Sequence, residues 1–247
     1  MPPVIARVRP GECHVWSADA TALVPALLPL LDARERERYE NFLRPEPQRL
    51  YLTAHALVRH VVAAQLDADP RDLAFVPYCK HCSDHAHGKP ALPGTPLEFS
   101  LSHSGDRVLV AVTLGVPVGV DVEQTATFPD LPLMALSEPE RKVLDALDEQ
   151  ARRRAFSTYW SRKEAVLKAT GDGLMVDPSR LTVSAPDAPA ELLEWQGRPE
   201  PVTPVRLYDV PAGDGYRAAV ALLGDDHPVV VHEVAYDGDG VLHRPRR

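Results

Sequence analysis

One order of elements is spelled out twice along this chain, and that repetition limits the possible folds more than any single motif does. Leu50 to Leu66 places Leu50, Thr53, Ala54, Leu57, Val58, Val61, Val62 and Leu66 at helical spacing, and Asp67 to Pro70 ends the run. Two strands follow, Glu98 to Leu101 and Arg107 to Leu114, joined by Ser102-His-Ser-Gly-Asp106 with its hairpin turn chemistry. In the second half, helical character runs through Arg152 to Ala169 and stops at Gly171 and Gly173. Tyr216 to Leu223 and Pro228 to Ala235 then read as a closing strand pair. Helix then strand pair, written twice, predicts an α+β protein of two pseudo-symmetric α/β lobes, 1–115 and 116–236, with a loose tail over 237–247. No residue-level repeat is obvious, so the division rests on element order.

The other elements fit between these. Asp32 to Leu43 reads as a charged helix with Arg34 and Arg38 on one face, and Pro45 and Pro47 break the chain after it. Residues 75–96 form a loop rich in Pro, His and Cys. Val116 to Glu123 is a short strand, and Ser137-Glu-Pro-Glu140 is a capping box that opens a helix. The 247 residues, 45% of them hydrophobic, suffice for a real core. The net charge of −8 argues against a nucleic-acid partner. Three cysteines make a poor disulfide framework, and nothing approaches a membrane span. The expectation is a cytoplasmic chain.

Three pieces carry chemistry. In Val118-Gly-Val-Asp-Val-Glu123, strand geometry turns Asp121 and Glu123 to one face and Val120 and Val122 to the other. Two carboxylates roughly 6 Å apart repel by about 3 kcal/mol at an effective dielectric near 20. A proton, a basic side chain or a cation must relieve that; an all-oxygen site suits Mg²⁺ or Mn²⁺. A solvated strand end would explain the pair as well. Trp160, Glu164 and Lys168 are spaced four and four, so they form one helical stripe. A plain surface ion pair accounts for Glu164 and Lys168, but not for a tryptophan on the same stripe or the glycines beyond it. Lys89, in Gly88-Lys-Pro90, is biased to extended backbone by the following proline. Ser102 and His103 lie in the turn, where hydroxyl, imidazole and backbone N–H groups can converge on an anion.

In this order the pieces resemble the Sfp-type 4′-phosphopantetheinyl transferases. The matches are Gly88-Lys-Pro90, Phe99-Ser-Leu-Ser-His-Ser104, Gly119-Val-Asp-Val-Glu123, and Trp160-Ser-Arg-Lys-Glu-Ala165 with Lys168 and Gly171. The last motif is similar to that of the subgroup serving fatty-acid, polyketide and nonribosomal peptide synthesis. The resemblance implies transfer from coenzyme A to a serine of an apo acyl or peptidyl carrier protein, releasing 3′,5′-adenosine diphosphate. It implies Mg²⁺ held by Asp121, Glu123 and Glu164, with Glu164 as base and Lys168 on a pyrophosphate oxygen. Lys89, Ser102 and His103 would hold the nucleotide phosphates, Arg38 would stand near the 3′-phosphate, and Lys163 would add charge to the cleft. One chain carrying both lobes implies a monomer.

Two departures from the family pattern stand out. Family members often carry an arginine where this chain has Leu50; Arg49, one place earlier, is turned about 100° around the helix. Cys79-Lys-His-Cys82, with His81, His85 and His87, has zinc-like spacing, and a zinc-stabilised binding module is one competing reading. A Mg²⁺-dependent pyrophosphate hydrolase is another. Phe128 to Leu136 is an apolar loop expected to form part of the carrier-protein dock.

Overall fold

The computed structural model describes residues 5–78, 88–126, 130–198 and 203–245. The chain opens with strand β1 (Cys13–Asp19), then α1 (Ala33–Glu40) and α2 (Pro45–Leu66). The short hairpin β2 (Val76–Tyr78) and β3 (Lys89–Ala91) leads to a longer one, β4 (Leu97–Ser104) and β5 (Arg107–Leu114). The same order returns: β6 (Val118–Gln124), α3 (Glu138–Asp145), α4 (Glu149–Thr170), hairpin β7 (Leu181–Val183) and β8 (Leu192–Trp195), then hairpin β9 (Val205–Asp209) and β10 (Tyr216–Leu223). Strands β11 (Val229–Tyr236) and β12 (Leu242–His243) close the chain.

The repeat extends to single residues. Each short helix has a glutamate at its third position, Glu35 and Glu140, that accepts from the backbone N–H of the residue before the helix, Asp32 or Ser137. Each of these glutamates meets a fully buried cation on the following long helix: Arg59 at 2.7 Å from Glu35, Lys163 at 2.5 Å from Glu140. Both long helices have 22 residues, and both cations stand fifteenth. Each cation also donates to two backbone carbonyls, Arg59 to Pro70 and Leu73, Lys163 to Ala135 and Pro178. An Asp-Pro turn follows each helix, with Asp69 accepting from Arg71 N–H and Asp177 from Ser179 N–H, both at 2.9 Å. This pattern was invisible as a repeat in the sequence because a glutamate–arginine pair serves one lobe and a glutamate–lysine pair the other.

Several elements differ from the sequence reading. Pro45 does not break the chain; it opens α2, where a first-turn residue needs no N–H donor. Strand β4 continues through Ser104, and Gly105, at φ 58°, takes the left-handed conformation of a tighter turn. Strands β10 and β11 are not a pair. Strand β10 lies in the sheet β6-β10-β9, whereas β11 pairs in parallel with β1 in the sheet β12-β11-β1-β5-β4. The segment beyond 228 therefore joins the first lobe, and the expected loose tail includes a strand, Leu242 and His243, paired with β11.

Three layers of core result. One lies between α2 and the larger sheet, around Leu57, Val61, Phe99 and Val110. A second lies under α4, around Phe156, Val166 and Ala219. The third joins the two sheets through Val15, Ala111, Val120 and Val220. At that junction Ser100, Ser102 and Ser104 all face β6, and their hydroxyls accept from the backbone N–H groups of Val120, Val122 and Gln124 at 3.1, 3.3 and 3.1 Å. A row of side-chain hydroxyls thus does the work of a strand edge. Among the described residues no helix is long and apolar enough to cross a membrane.

Candidate active site

The lobes meet where β4 faces β6; on the second lobe's side α4 crosses β6, and Gly119 permits that crossing. A Cβ at Gly119 would lie 2.0 Å from the Ala165 carbonyl oxygen and 2.4 Å from Ala169 N, both backbone atoms that cannot swing aside. With no side chain there, α4 rests on β6 and its stripe of Trp160, Glu164 and Lys168 reaches the acids of the strand.

The contacts are specific. Lys168 Nζ lies 2.6 Å from Asp121 Oδ1 and 2.9 Å from Ser102 Oγ. The Ser102 hydroxyl donates to the same Asp121 oxygen at 2.8 Å. Glu123 is held at both oxygens: the Ser104 hydroxyl donates at 2.9 Å and Trp160 Nε1–H at 3.1 Å. Two buried carboxylate oxygens have no hydrogen-bond partner, Asp121 Oδ2 and Glu164 Oε1. A buried unpaired acceptor costs about 1–3 kcal/mol, more for a charge.

The electrostatics follow from that crowding. Burial, then the charge of Asp121, raises Glu123 to about 7, with Ser104, Lys168 and Trp160 opposing. Glu164 is likewise pushed up to about 7, first by burial and then by Asp121, against the pull of Lys168. Asp121 is raised by burial despite Lys168 and Ser102. The three acids therefore share one field, and each would gain from a cation. Among the described residues no three His, Cys, Asp or Glu side chains already stand in a metal-holding arrangement; Lys168 occupies Asp121 while Ser104 and Trp160 hold Glu123. The unpartnered oxygens of Asp121 and Glu164 suit a hard, oxygen-seeking divalent ion.

Beside the acids lies a cationic corner. His103 extends from β4 on the face opposite Ser102, so the two do not share a turn as expected; their strand sends alternate side chains to opposite faces. The imidazole of His103 is pressed down to about 4, by desolvation first and then by Lys168, His55 and Arg38. Its outer edge remains exposed even so. Arg38 stands over the Tyr51 ring at 5.8 Å, and His55 lies against the same ring at 4.0 Å. His55 Nδ1–H donates to the Glu35 carboxylate across 2.8 Å, fixing the ring. Sequence reading missed His55, Ser104 and the role of Trp160, because their partners lie 20, 19 and 37 residues away.

Other expected residues lie elsewhere. Lys163 is not a cleft cation: fully enclosed, it is committed to Glu140 and two carbonyls, since one residue beyond Arg162 or before Glu164 points a helical side chain some 100° away. Lys89 gives its ammonium to the Val118 carbonyl at 2.9 Å and to Glu98 at 3.3 Å, so it borders the acids without reaching them. It flanks a cavity of about 300 Å³ between the lobes, bounded also by Phe99, Pro117, Thr170 and Gly171. Arg49 donates to the Ala20 carbonyl and to Asp106, at 2.7 and 2.8 Å. In the apolar loop, Leu131 and Leu133 pack against the second core and Leu136 is buried; among its described hydrophobic residues Met134 stands out, 82% exposed. Phe128 and the Cys79–Cys82 spacing, with His81, His85 and His87, lie outside the described residues.

Fold and site together define a two-lobed α/β protein that gathers acids, an ammonium group and a corner of basic side chains at one junction. A family model described as the 4′-phosphopantetheinyl transferase superfamily matches residues 117–221, the stretch that carries Asp121, Glu123, Glu164 and Lys168. The chain is 28% identical over 221 residues to the 4′-phosphopantetheinyl transferase Sfp of Bacillus subtilis, spanning 84% of this chain and 94% of that one. It is 27% identical over 234 residues to the 4′-phosphopantetheinyl transferase HetI of a Nostoc species, spanning 91% and 88%. Against a putative 4′-phosphopantetheinyl transferase of a Synechocystis species the figures are 30% over 158 residues, 62% and 61%. Residues 117–221 thus match the 4′-phosphopantetheinyl transferase superfamily model, and relatives of that name align with most of the chain.

Proposed function

We propose that this chain moves the 4′-phosphopantetheine group of coenzyme A onto a serine of an apo acyl or peptidyl carrier protein and releases 3′,5′-adenosine diphosphate. The observation that carries the reading is Lys168 seated on Asp121 beside two buried carboxylate oxygens without partners. Attack on a diphosphate needs its charge neutralised, its phosphates oriented and a base placed near the nucleophile. Asp121 and Glu164 would hold a Mg²⁺ or Mn²⁺ ion, with Glu123 as the third acid. When bound, that ion supplies positive charge to the diphosphate. Glu164 takes the proton of the acceptor serine, directly or through water; a carboxylate near 7 is matched to that task. The serine oxygen bonds to the phosphorus that bears pantetheine, and the bond from that phosphorus to the bridging oxygen breaks. Lys168 offsets the charge left on the 5′-phosphate of the departing nucleotide. Arg38, His55 and His103 hold the second anionic group of coenzyme A, and the cavity beside Lys89 takes its nucleoside.

The carrier protein would dock on apolar side chains near α4. Met134, Leu174 and Met175 are 82%, 66% and 72% exposed. They flank the two segments that Lys163 ties together through Ala135 and Pro178. Aspartate at Met134 and Met175 should raise the carrier-protein KM with the fold intact; an unchanged KM puts the dock elsewhere. The function is tested by mass spectrometry of apo carrier proteins incubated with coenzyme A and Mg²⁺. A pantetheinyl adduct is expected on a serine. Steady coenzyme A cleavage with no acceptor present would mark a hydrolase instead.

A further inference from the structure

Glu123 is the most tightly held of the three acids, and its constraint comes from the other lobe. The Ser104 hydroxyl is fixed before it meets the carboxylate: it accepts from Gln124 N–H at 3.1 Å and has its proton left for Glu123 Oε2 at 2.9 Å. Ser104 is buried at the end of β4. The other Glu123 oxygen is taken by Trp160 from α4. The carboxylate is thus clamped between a hydroxyl of the first lobe and an indole of the second, so its plane cannot rotate freely. Ser100, two steps back on the same face, accepts from Val120 N–H in the same way but touches no acid of the site. The hydroxyl row therefore contains its own control.

We propose that Ser104 is a positioning residue, which fixes the direction in which Glu123 offers its oxygen lone pairs to the divalent ion. The inference rests on the cation reading given above. Loss of a group that orients a metal-binding side chain typically weakens the metal by about 10–100-fold. Removing only a strand-to-strand contact should cost stability and nothing else.

The test compares Ser104→Ala, Ser104→Thr and Ser100→Ala in the full chain, with Mn²⁺ as probe. Two quantities are read: the Mn²⁺ concentration that half-saturates the rise in melting temperature of the substrate-free protein, and the concentration that half-activates turnover. Ser104→Ala should need about 10–100-fold more Mn²⁺ on both scales, with kcat near normal at saturating metal. Ser104→Thr, which keeps the hydroxyl, should stay within a few-fold. Ser100→Ala should melt earlier yet respond to Mn²⁺ as the unaltered chain does. If Ser104→Ala proves insoluble, Ser104→Cys, similar in size and a far weaker donor, takes its place. A Ser104→Ala response within twofold of Ser100→Ala overturns the proposal while the cation reading stands. No Mn²⁺ response in the unaltered protein removes both.

Discussion

The two lobes share a framework, but only one carries the acid cluster. Asp121 faces Ala219 on β10, and Trp16 faces Val110 on β5; each partner is the fourth residue of an eight-residue strand. By the same register Glu123 corresponds to Ala18, and Gly119 to His14. Counting along the two 22-residue helices, Glu164 corresponds to His60 and Lys168 to Ala64. The buried glutamate–cation pair stands in both lobes; the acids and the ammonium stand in one. In the first lobe the equivalent place is plugged. His60 Nδ1 hydrogen-bonds the Tyr236 hydroxyl at 2.8 Å, and Trp16 stacks on His232 at 5.1 Å, both partners coming from β11. The architecture therefore does not need the acid cluster to stand. The cluster raises the energy of the fold, because its three acids are buried beside one another.

The largest expected effect comes from the crossing of helix and strand. Gly119→Ala puts a methyl group into the backbone of α4. Separation of α4 from β6 should cost about 3 kcal/mol or more, the upper range of overpacking, and turnover should vanish. His14→Ala, at the matching place in the other lobe, should leave turnover near normal. Thermal melts and the carrier-protein assay check both, and a Gly119→Ala chain that melts normally would separate the site from this contact.

Next in size is the acid–base chemistry itself. Glu164→Gln should lower turnover by roughly 10²–10⁴, the usual worth of a positioned base. His60→Gln, its counterpart, should leave the rate within a few-fold of normal. Equal losses would mean that both lobes act in catalysis. The framework pairs should show the opposite symmetry. Glu140→Ala, and Glu35→Ala combined with Asp32→Ala, which removes the second carboxylate on Arg59 at 2.9 Å, each strand a buried cation, at about 3–5 kcal/mol. Denaturant unfolding should therefore show comparable losses from the two lobes, and a loss confined to one would break the equivalence.

Much of this was legible in sequence where the signal was local. The period of four in Trp160, Glu164 and Lys168 put three side chains on one stripe, and alternation put Asp121 and Glu123 on one face. What sequence cannot supply is direction at long range. Lys163 and Lys168 are the same residue type on the same helix; one is buried on Glu140 and the other lies on Asp121. Ser102 and Ser104 read as turn residues because hydroxyls near Gly105 favour turns, yet with Ser100 they form the contact row between lobes. Strand β11 was paired with its neighbour in sequence because hairpins are the commonest connection; its parallel place beside β1 depends on an edge more than two hundred residues earlier.

The smallest effect is the pH dependence that the acid cluster adds to stability. Glu123 and Glu164 titrate near 7 in the folded chain and in the ordinary range, near 4.5, when unfolded. The folded state therefore binds more protons than the unfolded state between those values, and stability must fall as pH rises. The contribution is complete below about 4.5 and is lost as pH passes through about 7. For two partly solvated groups it should amount to about 1–3 kcal/mol in all. In chelator-treated protein the melting temperature should drop from pH 5 to pH 8, and Mg²⁺ or Mn²⁺ should restore it most at the higher pH. Asp121→Asn removes a charge that raises both glutamates, so it should flatten the slope. His60→Gln should steepen the fall, because burial lowers the His60 imidazole and its own contribution to stability rises with pH. A slope that Asp121→Asn does not alter would mean that the strain lies outside this cluster.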